Sequence, residues 1–296
     1  MRDLRGYAMI LGAALFWGAS ATAAKALLNR NLDTVLIVQT RVSFTFLLLL
    51  VFYLLFRRDL LRVRVRDLWQ FALLGVIGIA GSNFTYYFTI RESTVATGIL
   101  IQYTAPLAVM AYGASSSEET LTPLKLVAGA ASLAGCFLAV GGYDPGVLRL
   151  TPPALLTGAA SVLCFAFLSV FARRPLARYS VWTVMFYALG SASLFWLAVH
   201  PPWGAGAPLP DGETWAELAA LAVVSILIPH SLYFAGLRRV PPSRAVITGT
   251  FEPVVAILTA ALFLGELLEP LQIAGAGIVL GAIGLLQVRQ DPPVKE

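Results

Sequence analysis

Few ionisable side chains lie inside the apolar runs of this 296-residue chain: Lys25, Arg41, His230 and Glu252. Charged groups are costly in such surroundings and mark either function or pairing. Glu252 precedes Pro253, which withholds a backbone N–H and frees a nearby carbonyl. Such an interruption is tolerated only where protein or water satisfies the backbone, so it points into a helix bundle. Two roles stay open for Glu252. It could hold a cationic ligand group or a coupling proton, or it could pair structurally with Arg41 or Lys25, the role preferred here because buried carboxylates are usually paired or neutralised. Arg41 reads as a lock between helices ahead of a ligand contact, since a guanidinium binds carboxylate and backbone oxygens alike. Lys25 lies near the end of its apolar run and is placed to snorkel. His230 follows Pro229 and reads as an interhelical hydrogen-bonding group ahead of a proton relay. Glu118, Glu119, Glu266 and Glu269 fall near run ends and read as interfacial caps or anchors.

Other chemistries find no support. The chain has two histidines, His200 and His230, and lacks HExxH, Asp-rich, Walker and GxSxG patterns. No convergent catalytic constellation is visible, so an enzyme is not expected, and neither is a cofactor or a metal. Cys136 and Cys164 sit in separate apolar runs without CxxC spacing and read as small core residues. A repeated filter or a ring of like charges, as a channel would use, is also missing.

The stretch SNFTYYF (82–88) is more informative, because Ser82, Asn83, Thr85, Tyr86 and Tyr87 nearly encircle a helix. With Trp17, Gln102 and Tyr103, and with Phe165, Tyr233 and Thr248 from the other half, these residues are read as the wall of a cavity. Aromatic faces receive the apolar part of a small solute, and amides and hydroxyls receive its polar head. Tyr86 and Tyr87, close to Arg91, equally fit an interfacial belt.

The elements that must position these residues follow from composition. The chain is 58% hydrophobic and 12% charged, with mean hydropathy +0.78; ordinary globular chains carry about 25% charged residues. Its solvent must be lipid. A spanning helix needs about 20 mostly apolar residues, and ten candidates are found near 7–28, 34–56, 68–90, 94–115, 123–142, 153–172, 180–199, 214–236, 242–264 and 270–288. Arg2 and Arg5 before the first run are read as the flank of a span rather than of a cleavable leader. The longest polar interval, PPWGAGAPLPDGET (201–214), is a Pro/Gly loop. With the N-terminus cytoplasmic, inside segments hold sixteen Lys and Arg and outside segments three, Arg30, Arg91 and Arg149. That bias places both termini in the cytoplasm. The net charge of +5 is thereby explained by orientation, and nucleic acid is not an expected partner.

Shifted by 147 positions, the sequence meets itself: Tyr86 on Tyr233, Arg91 on Arg238, Pro106 on Pro253, Glu119 on Glu266 and Pro123 on Pro270. The fold expected is therefore an all-α integral membrane protein of ten transmembrane helices in two five-helix repeats, 1–146 and 147–296, with Pro106 and Pro253 breaking corresponding helices. Five is odd, so the repeats are inverted, an arrangement that can expose one midplane site to either face in turn. The glycine-rich GAASLAG (129–135) and GAGIVLGAIG (275–284) read as packing seams.

Phe16-Trp17-Gly18, Arg41, EP…GE at 252–253 and 265–266, and GAGIVLGAIG resemble the drug/metabolite transporter superfamily. Among its ten-span EamA-type members, the chain is most similar to bacterial aromatic amino-acid exporters. The resemblance covers nearly the whole chain. It implies a monomeric inner-membrane exporter of amino acids, aromatic ones among them, working by alternating access. Other branches carry nucleotide-sugars, sugar phosphates or cationic drugs, and the anionic cargos would favour more cationic groups than Lys25 and Arg41. With no ATP-binding module, the energy must come from a substrate gradient or a coupled ion, and uncoupled transport is the expectation. Two departures stand out: the counterpart of Arg41 in the second half is Tyr187, and the first half ends in SSSEE (115–119) instead of LGE.

Overall fold

Unbroken Leu, Val, Ile and Phe runs cannot leave their backbone groups unpaired in hydrocarbon, and the helix pairs them within one segment. The computed structural model describes residues 4–30, 32–116, 119–201, 211–264 and 267–288, and among them it contains no strand. α1 (Leu4–Asn29) and α2 (Thr34–Phe56) are followed by α3 (Leu68–Leu73), which runs through a π-helical stretch, Leu74–Gly81, into α4 (Ser82–Glu92). Next come α5 (Val95–Gln102), α6 (Ala105–Ser115) and α7 (Pro123–Ala139). The second part begins with α8 (Pro152–Phe171), the short α9 (Arg173–Leu176) and α10 (Val181–Val199). α11 (Gly212–Ala222) passes through a second π-helical stretch, Val223–Leu227, into α12 (Ile228–Leu237). α13 (Pro242–Gly249), α14 (Phe251–Leu264) and α15 (Pro270–Val288) complete the order.

Helix starts follow from local chemistry. Asp33, Thr94, Thr122, Thr151, Ser180 and Asp211 each accept a backbone N–H from the first turn of α2, α5, α7, α8, α10 and α11. Caps of this kind contribute about 1 kcal/mol each. Pro123 and Pro152 open α7 and α8, where proline lacks only an N–H that would have no helical partner.

Seven helical stretches among the described residues are long and apolar enough to cross a membrane. The other three expected spans coincide with the 26-residue α1, with α7 at 17 residues, and with α13 and α14, which are separated at Thr250. Positions 202–210 of the expected Pro/Gly loop lie outside the described residues, as do Glu118 and Glu266. The outer surface carries large apolar side chains such as Leu55, Leu156, Leu194 and Leu262, whereas Arg41, His230 and Glu252 are buried. A water-soluble domain has the reverse arrangement.

Helices pack mainly across the two parts of the chain. α1 lies on α12 and α14, while α8 lies on α4, the Leu74–Gly81 stretch, α5 and α6. α2 meets α10, and α7 meets α15. At the α7–α15 contact a Cβ on Gly135 would fall 2.9 Å from the Gly275 carbonyl oxygen, and one on Gly275 would fall 2.5 Å from the Ala139 amide nitrogen. Backbones this close exclude any side chain. Gly277, Gly281 and Gly284 face open space, so only part of the glycine pattern serves the seam.

Gly275→Val is therefore expected to destabilise the fold by about 1–3 kcal/mol, the usual range for overpacking, read as a lower thermal unfolding midpoint in detergent. Gly281→Ala should leave that midpoint unchanged.

Candidate functional site

Two helix interruptions set the frame. Proline has no N–H to offer the carbonyl four residues earlier. Pro106 in the first turn of α6 thus leaves Gln102 without that partner, and Pro253 near the start of α14 leaves Gly249 so. Between α5 and α6 the chain tightens, with Thr104 N–H donating to the Ile101 carbonyl at 3.0 Å. The equivalent bond before α14 runs from Thr250 N–H to the Ile247 carbonyl at 3.2 Å. The two breaks meet in space: Tyr103 Oη donates to Glu252 Oε2 at 2.6 Å across 149 positions of sequence.

Beside this contact lies a cavity of about 580 Å³, counting its open mouth. Its walls come from both parts of the chain. α1 supplies Trp17, Ser20 and Ala21; α2 supplies Arg41; α4 supplies Ser82, Asn83, Tyr86 and Tyr87; α5 supplies Gln102. Across from them stand Phe165 and Leu168 of α8, Ser225 of the second π-helical stretch, His230 of α12 and Glu252 of α14. α1 approaches closely because residue 18 is glycine, where a Cβ would lie 2.6 Å from the Glu252 carbonyl oxygen.

The aromatic wall is interlocked. Trp17 meets Phe165 edge-on at 6.3 Å and His230 at 5.4 Å between ring centroids. Tyr233 stands behind both, 5.4 Å from Trp17 and 5.8 Å from Phe165, and shares a 2.7 Å hydrogen bond with Ser169. Edge-to-face pairs like these add about 0.5–1.5 kcal/mol beyond burial.

On the polar side, Arg41 Nε donates to Ser225 Oγ at 2.9 Å, and its guanidinium lies over the Tyr87 ring, 4.6 Å from the centroid. Ser225 Oγ in turn donates a hydrogen bond to the Leu221 carbonyl at 2.5 Å. Gln102 Oε1 accepts from Ser161 at 2.6 Å, and Asn83 Nδ2 donates to the Ile79 carbonyl at 2.9 Å. His230 Nδ1 is 3.1 Å from the Ile226 carbonyl of the π-helical stretch beneath it. Two buried polar atoms of the lining, Arg41 Nη1 and Tyr86 Oη, have no hydrogen-bond partner among the described residues.

Of the residues expected at a cavity, Trp17, Asn83, Tyr86, Tyr87, Gln102 and Phe165 come together there, joined by Arg41, His230 and Glu252. Tyr103 and Tyr233 stand behind the lining, and Thr248 is buried away from it, donating to the Arg244 carbonyl at 2.7 Å. The side chain of Lys25 lies outside the described residues. Glu252 takes its hydrogen bond from Tyr103, and no ion pair joins it to Arg41 among the described residues. Sequence reasoning missed Ser20, Leu168 and Ser225. A lone hydroxyl in the apolar run AVVSILIP (222–229) was the available signal for Ser225.

Two outlying residues have clear structural places. Glu119, expected as an interfacial cap or anchor, accepts from Lys125 Nζ at 2.8 Å and from the Ser243 amide at 3.1 Å, joining the start of α7 to the first turn of α13. Tyr187, the counterpart of Arg41, instead donates to the Leu61 carbonyl at 2.6 Å and stacks on Phe71. Among the described residues no cluster of His, Cys, Asp and Glu could hold a metal.

The chain resembles proteins of known class along most of its length. An uncharacterized inner membrane transporter, YicL, of Salmonella typhimurium is 25% identical over 264 residues, 88% of each chain. The threonine/homoserine exporter RhtA of Escherichia coli K12 is 28% identical over 228 residues, 74% of this chain and 72% of that one. An uncharacterized transporter of Archaeoglobus fulgidus is 29% identical over 258 residues, 85% and 86% of the two chains. A crystal structure with 20% identity superposes on 96% of both chains with a TM-score of 0.79, which establishes a shared fold. The model of the EamA-like transporter family matches twice, at residues 4–141 and 152–288. Helices fit for a bilayer, a cavity walled from both parts of the chain and this doubled match lead to one conclusion: the protein belongs to the EamA-like transporter family of the drug/metabolite transporter superfamily, as a multi-pass membrane protein.

Proposed function

We propose that the protein exports amino acids, aromatic ones among them, across the bacterial inner membrane by alternating access. The observation that carries this reading is the cavity at the meeting of two broken helices, with aromatic faces on one side and amide, hydroxyl and charged groups on the other. Such a lining suits a small solute with an apolar part and a polar head. The relative named for threonine and homoserine export supports the same cargo class.

Ten spans in two inverted halves, 1–146 and 147–296, supply the mechanism. The exchange of packing partners favours this arrangement, since α1 rests on the eighth and ninth proposed spans as α8 rests on the third and fourth. The two π-helical stretches, near 74–81 and 223–227, and the two breaks, near 103 and 250, recur at close to the 147-residue shift. Rocking one half against the other would open the cavity to each face in turn. Both termini lie in the cytoplasm, as the Lys and Arg distribution favours, and the monomer is the transporting unit. No cofactor takes part, and transport runs down the cargo gradient without a coupled proton.

Four measurements test this. In proteoliposomes, counterflow is expected for neutral amino acids including phenylalanine and threonine, and not for quaternary cations or sugar phosphates; movement of the phosphates alone would refute the cargo assignment. Tyr103→Phe removes a hydrogen bond to a carboxylate, worth about 1.5–3 kcal/mol, and should lower counterflow about tenfold or more. In a background lacking Cys136 and Cys164, the exposed positions Arg91→Cys and Arg238→Cys should be labelled from opposite sides of the membrane, and labelling from one side would end the inverted arrangement. Uptake should proceed equally with and without a pH gradient; a gradient requirement abolished by Glu252→Gln would establish proton coupling instead.

A further inference from the structure

We infer that Arg41 and Tyr86 anchor the carboxylate of a zwitterionic cargo while Glu252 receives its ammonium group. This rests on the amino-acid reading above and makes it specific. Arg41 is 2% exposed. Its Nε is held by Ser225 and its face by Tyr87, yet Nη1 has no acceptor and no carboxylate pairs with it among the described residues. A guanidinium withdrawn from water without an anion is strongly unfavourable. Its fork of donors matches the two oxygens of a carboxylate.

Tyr86 supplies the second donor. Its ring lies 5.7 Å from that of Tyr87, which the guanidinium covers, and its hydroxyl is also buried without a partner among the described residues. Two unused donors on one wall call for an acceptor with at least two oxygens and a negative charge. Among the described residues the cavity lining has one acidic side chain, Glu252, and it is oriented by Tyr103 instead of being spent on Arg41. Opposite charges in one cavity, each held by a neutral neighbour and not by the other, are complementary to an α-amino acid. A dianionic phosphate would set its second charge against Glu252.

The arrangement also links occupancy to conformation. Arg41 and Tyr86 belong to α2 and α4, and Glu252 belongs to α14. A zwitterion held at both ends would bridge the two halves, whereas an amine or an acid alone would engage one of them. A ligand shifts a conformational equilibrium only through such differential contacts.

Calorimetric titration of the purified full-length protein tests the assignment with L-phenylalanine, its methyl ester, which lacks the anionic carboxylate, and L-3-phenyllactate, which lacks the ammonium. Wild-type protein should prefer the amino acid about tenfold or more over both analogues, as expected for hydrogen bonds to charged groups. Arg41→Gln should reduce the preference over the ester to about twofold or less while keeping the preference over phenyllactate, and Glu252→Gln should do the opposite. Tyr86→Phe should lower the preference over the ester severalfold, and it decides the matter if Arg41→Gln does not fold. An unchanged acid-to-ester ratio in Arg41→Gln or Tyr86→Phe, or an unchanged preference over phenyllactate in Glu252→Gln, overturns the inference while leaving the amino-acid reading in place. If neither phenylalanine nor threonine binds the wild-type protein, the amino-acid reading falls and the inference with it.

Discussion

Hydrocarbon offers a polypeptide no hydrogen bonds, so each departure from regular helix must be satisfied by the protein itself or by a water-lined space. The departures in this molecule gather in one region. The gaps at Tyr103–Thr104 and Thr250, and the π-helical stretches 74–81 and 223–227, lie on or next to elements that wall the cavity. Local π turns are frequent at functional sites because they shift side chains out of register with the regular helix. Here Ser225 sits within one such stretch and takes hold of Arg41, and the Ile226 carbonyl in the same stretch engages His230. The irregular backbone is thus the means by which polar groups are delivered into an apolar protein.

Small residues make that delivery possible at close range. Gly18 lets α1 approach the Glu252 carbonyl, which brings Trp17 and Glu252 to one cavity. Trp17 in turn is fixed by Phe165, Tyr233 and His230, residues of two other helices. Aromatic rings bury large areas with little rotational freedom to lose, so a wall of them holds its shape better than one of long aliphatic chains.

Much of this was legible in the residues. The apolar runs marked the helices, the EP step marked a break, and SNFTYYF marked a polar face that lipid would not tolerate. What escaped depends on contacts far apart in sequence. Tyr103 and Glu252 are 149 positions apart, and nothing local to either specifies a hydroxyl for the carboxylate. Glu119 reads as an interfacial cap or anchor, but nothing near it names its partner Ser243, 124 positions away. The wider turn of the stretch 74–81 has no compositional signature. Thr248 illustrates the converse: a polar residue on a promising helix satisfied its hydroxyl on the preceding turn, as threonine readily does.

Arg41 gains meaning by comparison with Arg244, a second buried arginine in the same molecule. Arg244 lies on α13, 5% exposed, where Nη1 donates to Tyr7 Oη at 3.1 Å and to the Leu286 carbonyl at 2.5 Å. It ties α13 to α1 and α15, as a guanidinium does when its task is to hold helices together. Nearby, Lys125, Glu119 and Ser243 close a further polar joint around one carboxylate. Those groups meet acceptors supplied by the fold. Arg41 is likewise buried and has the same chemistry, yet it is given a hydroxyl at Nε and a ring face, and Nη1 is left without an acceptor among the described residues. Leaving a buried donor unmatched costs more than an ordinary hydrogen bond returns. A fold able to satisfy Arg244 and Lys125 so fully is under no geometric compulsion to leave Arg41 short. Its position in the cavity lining, facing a space shared with Glu252, accounts for the difference.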